Sequence, residues 1–560
     1  MRVLSLASVL LLLPFTALAQ GQAAAPPPEA GPPPDPFGEV IDVRVVNVEA
    51  VVTDRDGNRV TGLAPDDFRL FVDGEEVAIQ YFTEIVGGEV VEREGVALPG
   101  IPAAAPGEEV GTSYLVFVDD YFSQARDRDA VLASLADQLD FLGRNDRMAV
   151  VAFDGKRVEM LTSWTASERE LRRALGDARA RPALGLHRLA ERRAHDSALS
   201  GRPTPRSGDA IQWLHPEDRV FGRQVEQQVE RSVAAATAAL RGFARPPGRK
   251  VMLLLSGGWP YSPAVYASGA RGVIDSGELD QGRDLYAPLT TTANLLGYTL
   301  YPVDVPGLEP VSGADADQGG RTLEPGFRRD PEGRFAAGSF GPGIARERSG
   351  HDTLYHLAER TGGRALVNAG RLEALAAVAE DTRSYYWLGF SPERREDDRR
   401  HEIRVEVVRP ALVVRTRDDF LDLSRDAERT MAVESALLFG EPAAEGALPV
   451  EVADIRPAGR REMRATLKVR IPLDDVTFVP QGEEWIARVE LRAAALDAQN
   501  RESDVPSVPV EMRLPGEPPP GAFYTLDVPL ELRRVRQTVV VTVTDTIGGH
   551  SLTSRVEVEP

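Results

Sequence analysis

The chain has 560 residues and a formal net charge of −21, from 65 basic and 86 acidic residues. This length predicts two to four domains, and the acidic balance excludes nucleic acid as an expected partner, because such sites need a net basic surface. Since there is no cysteine, disulfides and a lipid-modified N-terminal cysteine are excluded as well.

The N-terminal residues predict a secretory signal peptide over residues 1–19. Arg2 is followed by an apolar stretch from Val3 to Leu13 and by small residues before the expected cleavage point. The alternative is a membrane anchor, but the stretch is short for a bilayer span, and no later segment is long enough either. We therefore expect a periplasmic or secreted protein that is not a lipoprotein. Residues 20–37 are predicted to be a Pro/Ala linker.

Residues 38–90 predict a small β module. Their β-branched residues alternate with polar ones, and Asp56-Gly57 and Asp73-Gly74 are typical hairpin turns. The module has too few strands for a core of its own. We therefore expect it to pair with the strands predicted at 384–420, so that one β-sandwich flanks the segment between them.

Residues 111–390 predict an α/β domain. Leu115 to Val118 is an apolar run of the kind found in strands buried on both faces, and it ends in Asp119-Asp120. Strand and helix patterns then alternate, which predicts a mostly parallel sheet with helices on both faces. Two segments lack this periodicity and are predicted to be inserted loops, 181–222 and 307–350. A β segment is expected at 391–425 and a C-terminal β-sandwich at 440–560.

Three sequence blocks, VFVDDYFS, MAVVAF and RKVMLLLSGG, resemble the first, second and fourth strands of a von Willebrand factor type A domain. The flanking segments VVTDRDGNRVTGLAPDDFRLFVDGEEVAIQYF and LYHLAERTGGRALVNAGRLEALAAVAEDTRSYYWLGFSP extend this to a family of secreted bacterial proteins, acidobacterial in type. The resemblance covers about residues 40–420. It implies an α/β fold with a doubly wound, mostly parallel sheet, flanked by β-sandwich modules. It also implies a protein-binding or adhesion function.

The resemblance further implies a degenerate metal site. Metal-binding members hold a divalent cation with an Asp-x-Ser-x-Ser loop, a Thr and a further Asp. Here Asp119 and Ser123 match, but Tyr121 replaces the first Ser and Gly257 stands where the further Asp is expected. The Thr has no assignable counterpart in 181–222. Because Mg²⁺ needs near-octahedral oxygen ligation, we expect no cofactor, or at most weak Mg²⁺ or Ca²⁺ binding. Its candidate ligands are Asp119, Ser123, Asp120 and Asp304.

The expected partner-binding surface is the carboxyl-end rim of the sheet, where open α/β sheets bind ligands. Four aromatic residues follow the first and fourth strands there, and aromatic side chains provide much of the binding energy at protein interfaces. The alternative is that they only cap the sheet. The predicted rim consists of Asp119, Asp120, Tyr121, Phe122, Ser123, Gly257, Trp259 and Tyr261. The expected partner is a protein of the periplasm or envelope.

Catalytic motifs are missing from the sequence, which contains no GxSxG, Walker or HExxH pattern. We therefore expect a protein that is not an enzyme. One alternative is an envelope hydrolase or carbohydrate-active protein, whose site would need His187, His195 and His215 to converge in the inserted loop. Another is a mechanical spacer of an envelope assembly.

Overall fold

The computed structural model describes residues 46–95, 107–199, 212–244, 248–268, 274–275, 279–280, 282–306, 328–329, 335–336, 342–367, 372–391, 397–439, 448–482, 484–497 and 503–560. The chain divides into two compact units, Met1–Ile41 and Asp42–Pro560, and everything below concerns the second. The predicted signal peptide and linker lie outside the described residues. Within the described residues, no helix combines the length and the apolarity that crossing a bilayer requires.

Five strands precede the α/β segment. Between the second and third, Asp73 and Gly74 both have positive φ angles, 51° and 87°, as the predicted two-residue hairpin turn requires. The strands are β1 (Val46–Thr53), β2 (Phe68–Val72), β3 (Glu75–Val77), β4 (Tyr81–Val86) and β5 (Glu89–Gly95).

The α/β segment alternates strands and helices, as the sequence predicted. Its elements are β6 (Thr112–Asp119), α1 (Ala125–Asp137), β7 (Arg147–Phe153), β8 (Val158–Thr165), α2 (Glu168–Ala180), α3 (Gly185–Leu199), β9 (Gln212–Trp213), α4 (Pro216–Gly242), β10 (Arg249–Ser256), α5 (Pro263–Ser268), β11 (Ile274–Asp275), α6 (Gly282–Leu296), β12 (Tyr298–Asp304), β13 (Arg328–Arg329), β14 (Phe335–Ala336), α7 (Pro342–Arg360) and α8 (Ala374–Thr382).

The main sheet of this segment has the order β12-β10-β6-β7-β8. All its pairings are parallel except that of β8 with β7. Leu115 and Phe117 of β6 pack with side chains of α4 and α6, whereas Tyr114, Val116 and Val118 pack with those of α1, α2 and α8. Helices thus cover both faces, which is why β6 has a continuous apolar run instead of an alternating one.

The predicted inserted loop at 181–222 is wrong in large part. Helix α3 occupies Gly185–Leu199, and α4 begins at Pro216, so both helices lie partly or wholly inside the predicted loop. Helix α3 has no apolar stripe, and its contacts with the rest of the chain include a hydrogen bond from Arg188 to Tyr121 and stacking of His195 on Phe221. Likewise, residues 342–350 of the predicted loop at 307–350 belong to α7, and most of the remainder lies outside the described residues.

Strands from both sides of the α/β segment pair with one another. After α8 come β15 (Tyr385–Phe390), β16 (Arg399–Val407), β17 (Val413–Arg415) and β18 (Asp419–Asp422). They form two antiparallel sheets with the N-terminal strands, in the orders β17-β1-β15-β4-β5 and β18-β16-β2-β3. The sheets share one core, to which Val48, Leu70, Leu388 and Ile403 contribute. This is the pairing that the sequence predicted between 38–90 and 384–420.

The remaining strands form two further antiparallel sheets around a third core. Strand β20 alternates buried and exposed residues because one of its faces covers this core. The elements are α9 (Arg425–Phe439), β19 (Val450–Pro457), β20 (Glu462–Pro472), β21 (Val479–Gln481), β22 (Glu484–Asp497), β23 (Ser507–Leu514), β24 (Phe523–Arg533), β25 (Gln537–Asp545) and β26 (Ser551–Val558). The architecture is thus mixed α/β, with a mostly parallel sheet and several antiparallel ones.

Candidate functional site at the carboxyl edge of the parallel sheet

The ends of β6 and β10 meet where the winding of the sheet reverses. From β6 the sheet continues through β7 and β8 on one side and through β10 and β12 on the other. Ligands of open α/β sheets bind outside the carboxyl ends of the strands at such a point. The structure brings the loop after β6, residues 119–123, against the loop after β10, residues 257–261.

Asp119 lies at the centre of this edge and is fully buried. Its Oδ1 atom accepts the backbone N–H groups of Tyr121 at 3.0 Å and Phe122 at 3.2 Å. Its Oδ2 atom accepts the indole N–H of Trp259 at 2.6 Å. Burial raises the pKa of Asp119 to about 7, although these three N–H groups oppose the rise. Both carboxylate oxygens are therefore committed to N–H donors.

Asp120 contacts different partners. Its Oδ1 accepts Nη1 of the fully buried Arg128 at 2.6 Å, and its Oδ2 accepts Nε of Arg181 at 2.7 Å. Arg128 also donates to the carbonyl oxygens of Arg179 and Arg181. Asp120 thus ties the end of β6 to α1 and to the end of α2, and its oxygens do not converge with those of Asp119.

Two glycines pack directly against the backbone of Phe122 and Ser123. A Cβ atom on Gly257 would lie 2.3 Å from the carbonyl carbon of Phe122, and one on Gly185 would lie 2.5 Å from that of Ser123. Neither position has space for a side chain. This explains why glycine occupies position 257, where the family resemblance implies an aspartate.

The expectation of an exposed aromatic rim is wrong. Tyr121 is 5%, Phe122 9% and Trp259 0% exposed, and all three belong to the core on the α4 side of the sheet. Tyr261 is half-buried and stacks on the ring of Tyr286. The alternative interpretation, in which these rings cap the end of the sheet, describes the structure. Helix α3, which the sequence did not predict, covers the loop after β6, and Tyr286 of α6 stacks on Trp259.

The four candidate metal ligands do not share a site. The oxygens of Asp119 and Asp120 have separate N–H partners, so that of these three residues only the fully buried Ser123 keeps a ligand atom, its hydroxyl, without a hydrogen-bond partner in the described residues. Asp304 lies at the end of β12, with Oδ2 3.2 Å from Nε2 of His351. This edge therefore does not fit Mg²⁺ or Ca²⁺. Over the described ranges, the one group of His, Asp and Glu side chains close enough to share an ion is elsewhere, at Asp397, His401 and Asp422.

Helix α3 and the first half of α4 form an antiparallel pair over this edge. Arg188 of α3 and Arg231 of α4 both donate to the Tyr121 hydroxyl, at 2.9 and 3.0 Å. Further along, His195 of α3 stacks on Phe221 of α4 with ring centroids 4.3 Å apart. Since α4 begins at Pro216, roughly 22 Å of helix precedes Arg231. The apolar stripe of α4 is visible in the sequence, but no motif pointed to α3 or to its pairing with α4.

The three histidines of the hydrolase alternative have separate surroundings. His187 is exposed beside Glu191, and His195 lies 3.1 Å from Asp218. His215 is exposed at the N-terminus of α4. The convergent cluster that this alternative requires is not formed by these residues.

Comparisons with known proteins give little support of their own. No family model matches the chain, and no curated protein matches it. Among solved structures, the chain is similar to the SpRpn10 VWA domain, with 8% sequence identity and a TM-score of 0.12. The similarity covers 32% of this chain and 94% of that one. A TM-score this low carries no argument about fold or function.

Proposed function

We propose that the chain is a periplasmic or secreted protein-binding protein, built on a doubly wound domain of the von Willebrand factor A type, that captures its partner without a metal ion. The blocks that resemble this family lie on β6, β7 and β10 of the parallel sheet. The order of the sheet supports the doubly wound interpretation, because β6 lies at a point where the winding reverses. The signal-like N-terminus supports export.

One observation supports the proposal that the partner is bound without a metal ion. The indole of Trp259 donates to the Asp119 carboxylate at 2.6 Å, and two backbone N–H groups occupy its other oxygen. A cation would have to displace these donors and the buried ring. There is therefore no bound ion whose coordination a partner carboxylate could complete, and binding must use protein surface alone.

The surface that replaces the buried rim is the outer side of the α3 and α4 pair. Of the ten large apolar side chains that are exposed in the described residues, the two most exposed both belong to this pair, Leu186 at 63% and Val220 at 71%. They lie on the helices that cover the carboxyl edge. Apolar side chains on such a surface can supply contact area that a partner desolvates.

The test compares two matched double variants of the full chain. Leu186→Asp with Val220→Asp changes the proposed surface, whereas Val408→Asp with Val413→Asp changes side chains of the β-sandwich that are 55% and 54% exposed. A partner is first recovered from periplasmic extract with the unchanged chain, identified, purified and titrated. We expect the first pair to weaken its affinity by at least about tenfold, or about 1.4 kcal/mol, and the second pair to leave it unchanged.

EDTA in the same titration should have no effect on affinity. Equal affinity for both double variants, with both still folded, would contradict the proposed surface. Loss of binding in EDTA that Mg²⁺ restores would contradict the metal-independent mechanism.

A further inference from the structure

The edge of the β-sandwich holds a histidine surrounded by carboxylates. His401 lies on β16, opposite Phe420 of β18, and the two rings stack with centroids 5.1 Å apart. Asp422 is two residues further along β18 and therefore on the same face as Phe420. Asp397 precedes β16, and Asp73 comes from the turn between β2 and β3. Three separate chain segments thus converge on one imidazole.

Asp73 determines which ring nitrogen carries the proton. Its Oδ2 atom lies 2.7 Å from Nδ1 of His401, and its Oδ1 atom accepts the backbone N–H of Glu402 at 2.9 Å. An ionised carboxylate only accepts hydrogen bonds, so Nδ1 of His401 must be the donor. In the neutral ring, Nε2 then presents a lone pair. A carboxylate that orients a histidine in this way is typical of the groups behind metal-binding histidines.

Nε2 lies close to two further carboxylates. Ligand atoms of Asp397, His401 and Asp422 all lie within 4.8 Å of one another, and Nε2 is 3.4 Å from Oδ1 of Asp397. This is long for a charge-assisted hydrogen bond, which is about 2.7–2.9 Å. Two ligand atoms at 2.0–2.1 Å from a tetrahedral zinc ion are about 3.3–3.4 Å apart. The spacing therefore suits an ion between the two atoms.

We propose that Asp397, His401 and Asp422 bind a transition-metal dication of the zinc class, with Asp73 as a positioning residue behind His401. An imidazole ligand favours such an ion over Mg²⁺ and Ca²⁺, which prefer oxygen. The ion joins the start of β16 to the end of β18. It therefore stabilises the β-sandwich, and it is independent of the partner surface on α3 and α4.

Zinc titration of the full chain tests the site. The protein is treated with EDTA, dialysed, and titrated with ZnCl₂ in a calorimeter at pH 7.5. We expect one saturable equivalent and a melting temperature that rises with zinc concentration, because the ion binds the folded state. Co²⁺ should give the visible absorption bands of a tetrahedral site. Millimolar Mg²⁺ should give neither saturable binding nor a rise in melting temperature.

Variants separate this site from adventitious binding. His401→Gln and Asp422→Asn should each abolish the saturable equivalent. Asp73→Asn should keep the stoichiometry but weaken zinc affinity by about 10–100-fold, since it removes only the orienting carboxylate. His187→Gln, which removes an exposed histidine beside Glu191, is the matched control and should change nothing.

Two results would overturn the proposal. One is the absence of saturable 1:1 binding, as expected if a protonated His401 simply bridges Asp73 and Asp397. The other is equal zinc affinity in the unchanged chain and in the ligand variants. If His401→Gln and Asp422→Asn fail to fold, Asp397→Asn decides between these outcomes, because Asp397 is only half-buried.

Discussion

Asp119 and Trp259 show how a carboxylate can be buried at the edge of the sheet with N–H donors on both oxygens. The carboxyl group is fully buried, and its pKa of about 7 lies above the ordinary value of 3.8 because of that burial. Between these values the folded chain binds more protons than the unfolded chain. This carboxyl therefore makes the unfolding free energy fall as pH rises from about 4 to 7.

Trp259→Phe should destabilise the fold in a pH-dependent way. The change removes the N–H donor to Oδ2 of Asp119, and a buried carboxylate that loses a donor costs about 1–3 kcal/mol. We expect a larger loss of unfolding free energy at pH 8, where the carboxyl is ionised, than at pH 5.5, where it is protonated. Denaturant titration at both values measures this.

Trp387→Phe is the control for that experiment. Trp387 is a buried tryptophan of the β-sandwich that packs edge-on against Tyr385. Trp387→Phe should lower the unfolding free energy by the same amount at pH 5.5 and at pH 8. If Trp259→Phe also lowered the unfolding free energy equally at both pH values, the coupling between the indole and Asp119 would be contradicted.

Gly257→Asp, which introduces the aspartate that the sequence resemblance implies at this position, should destabilise the chain and not create a metal site. Its Cβ would lie within 2.4 Å of the Phe122 and Ser123 backbone, and overpacking of this kind costs typically about 1–3 kcal/mol or more. Gly176→Ala on α2, where nothing lies within 4 Å of the added atom, should be neutral or stabilising. A Gly257→Asp protein that melts like the unchanged chain and gains Mg²⁺-dependent stability would show this explanation to be wrong.

At the residue scale, the sequence predicted that the loops after β6 and β10 are neighbours, but not that their side chains are buried or that the candidate metal ligands are separate. Asp119 and Trp259 could be brought together because each follows a strand with a clear apolar run, and the two strands are neighbours. The loop that follows Asp119 is covered by Gly185 and Arg188 of α3, and Trp259 stacks on Tyr286 of α6. No local pattern around Asp119 carries that information.

At the element scale, the apolar pattern was sufficient wherever an element covers a core with one or both faces. Strands β6, β7 and β10, and the alternation of strands with helices around them, were predicted for that reason. Helix α3 was missed because it makes polar and stacking contacts, such as Arg188 with Tyr121 and His195 with Phe221. Contacts of this kind have no periodic signature in the sequence.

Removal of the N-terminal strands should destabilise the α/β segment. Strand β15 lies between β1 and β4, so a chain that begins at residue 107 leaves it without either neighbour. Arg59 also forms an ion pair with the buried Asp381 of α8. We expect a clearly lower melting temperature by calorimetry than for a chain that begins at residue 38. Equal melting temperatures would mean that the α/β segment folds without this sandwich.

At the scale of the whole molecule, α9 connects the C-terminal strands to the α/β segment. Val433 and Leu437 of α9 pack against Ala494 of β22 and Val540 of β25. On the other side, Glu434 of α9 accepts a hydrogen bond from Arg241 of α4 at 2.8 Å. No pattern in the sequence places this helix between two domains, because both neighbours are distant along the chain.

Leu437→Ala should weaken this connection. Leu437 is fully buried, and truncation of such a leucine costs about 2–5 kcal/mol. We expect the C-terminal strands to unfold in a separate, earlier calorimetric transition. Val508→Ala, at a 40% exposed position on β23, should leave the melting profile unchanged. A single transition shifted equally for all domains would contradict a connecting role for α9.

The most direct measurement is the NMR signal of the Trp259 indole N–H. The chain has five tryptophans, and Trp259→Phe identifies the resonance by removing it. We predict that this resonance titrates with a midpoint near pH 7, following Asp119, and does not move when 10 mM Mg²⁺ is added at pH 7.5. A saturable shift with Mg²⁺, lost in Asp119→Ala, would show that an ion displaces the indole and would contradict metal-independent binding at this edge.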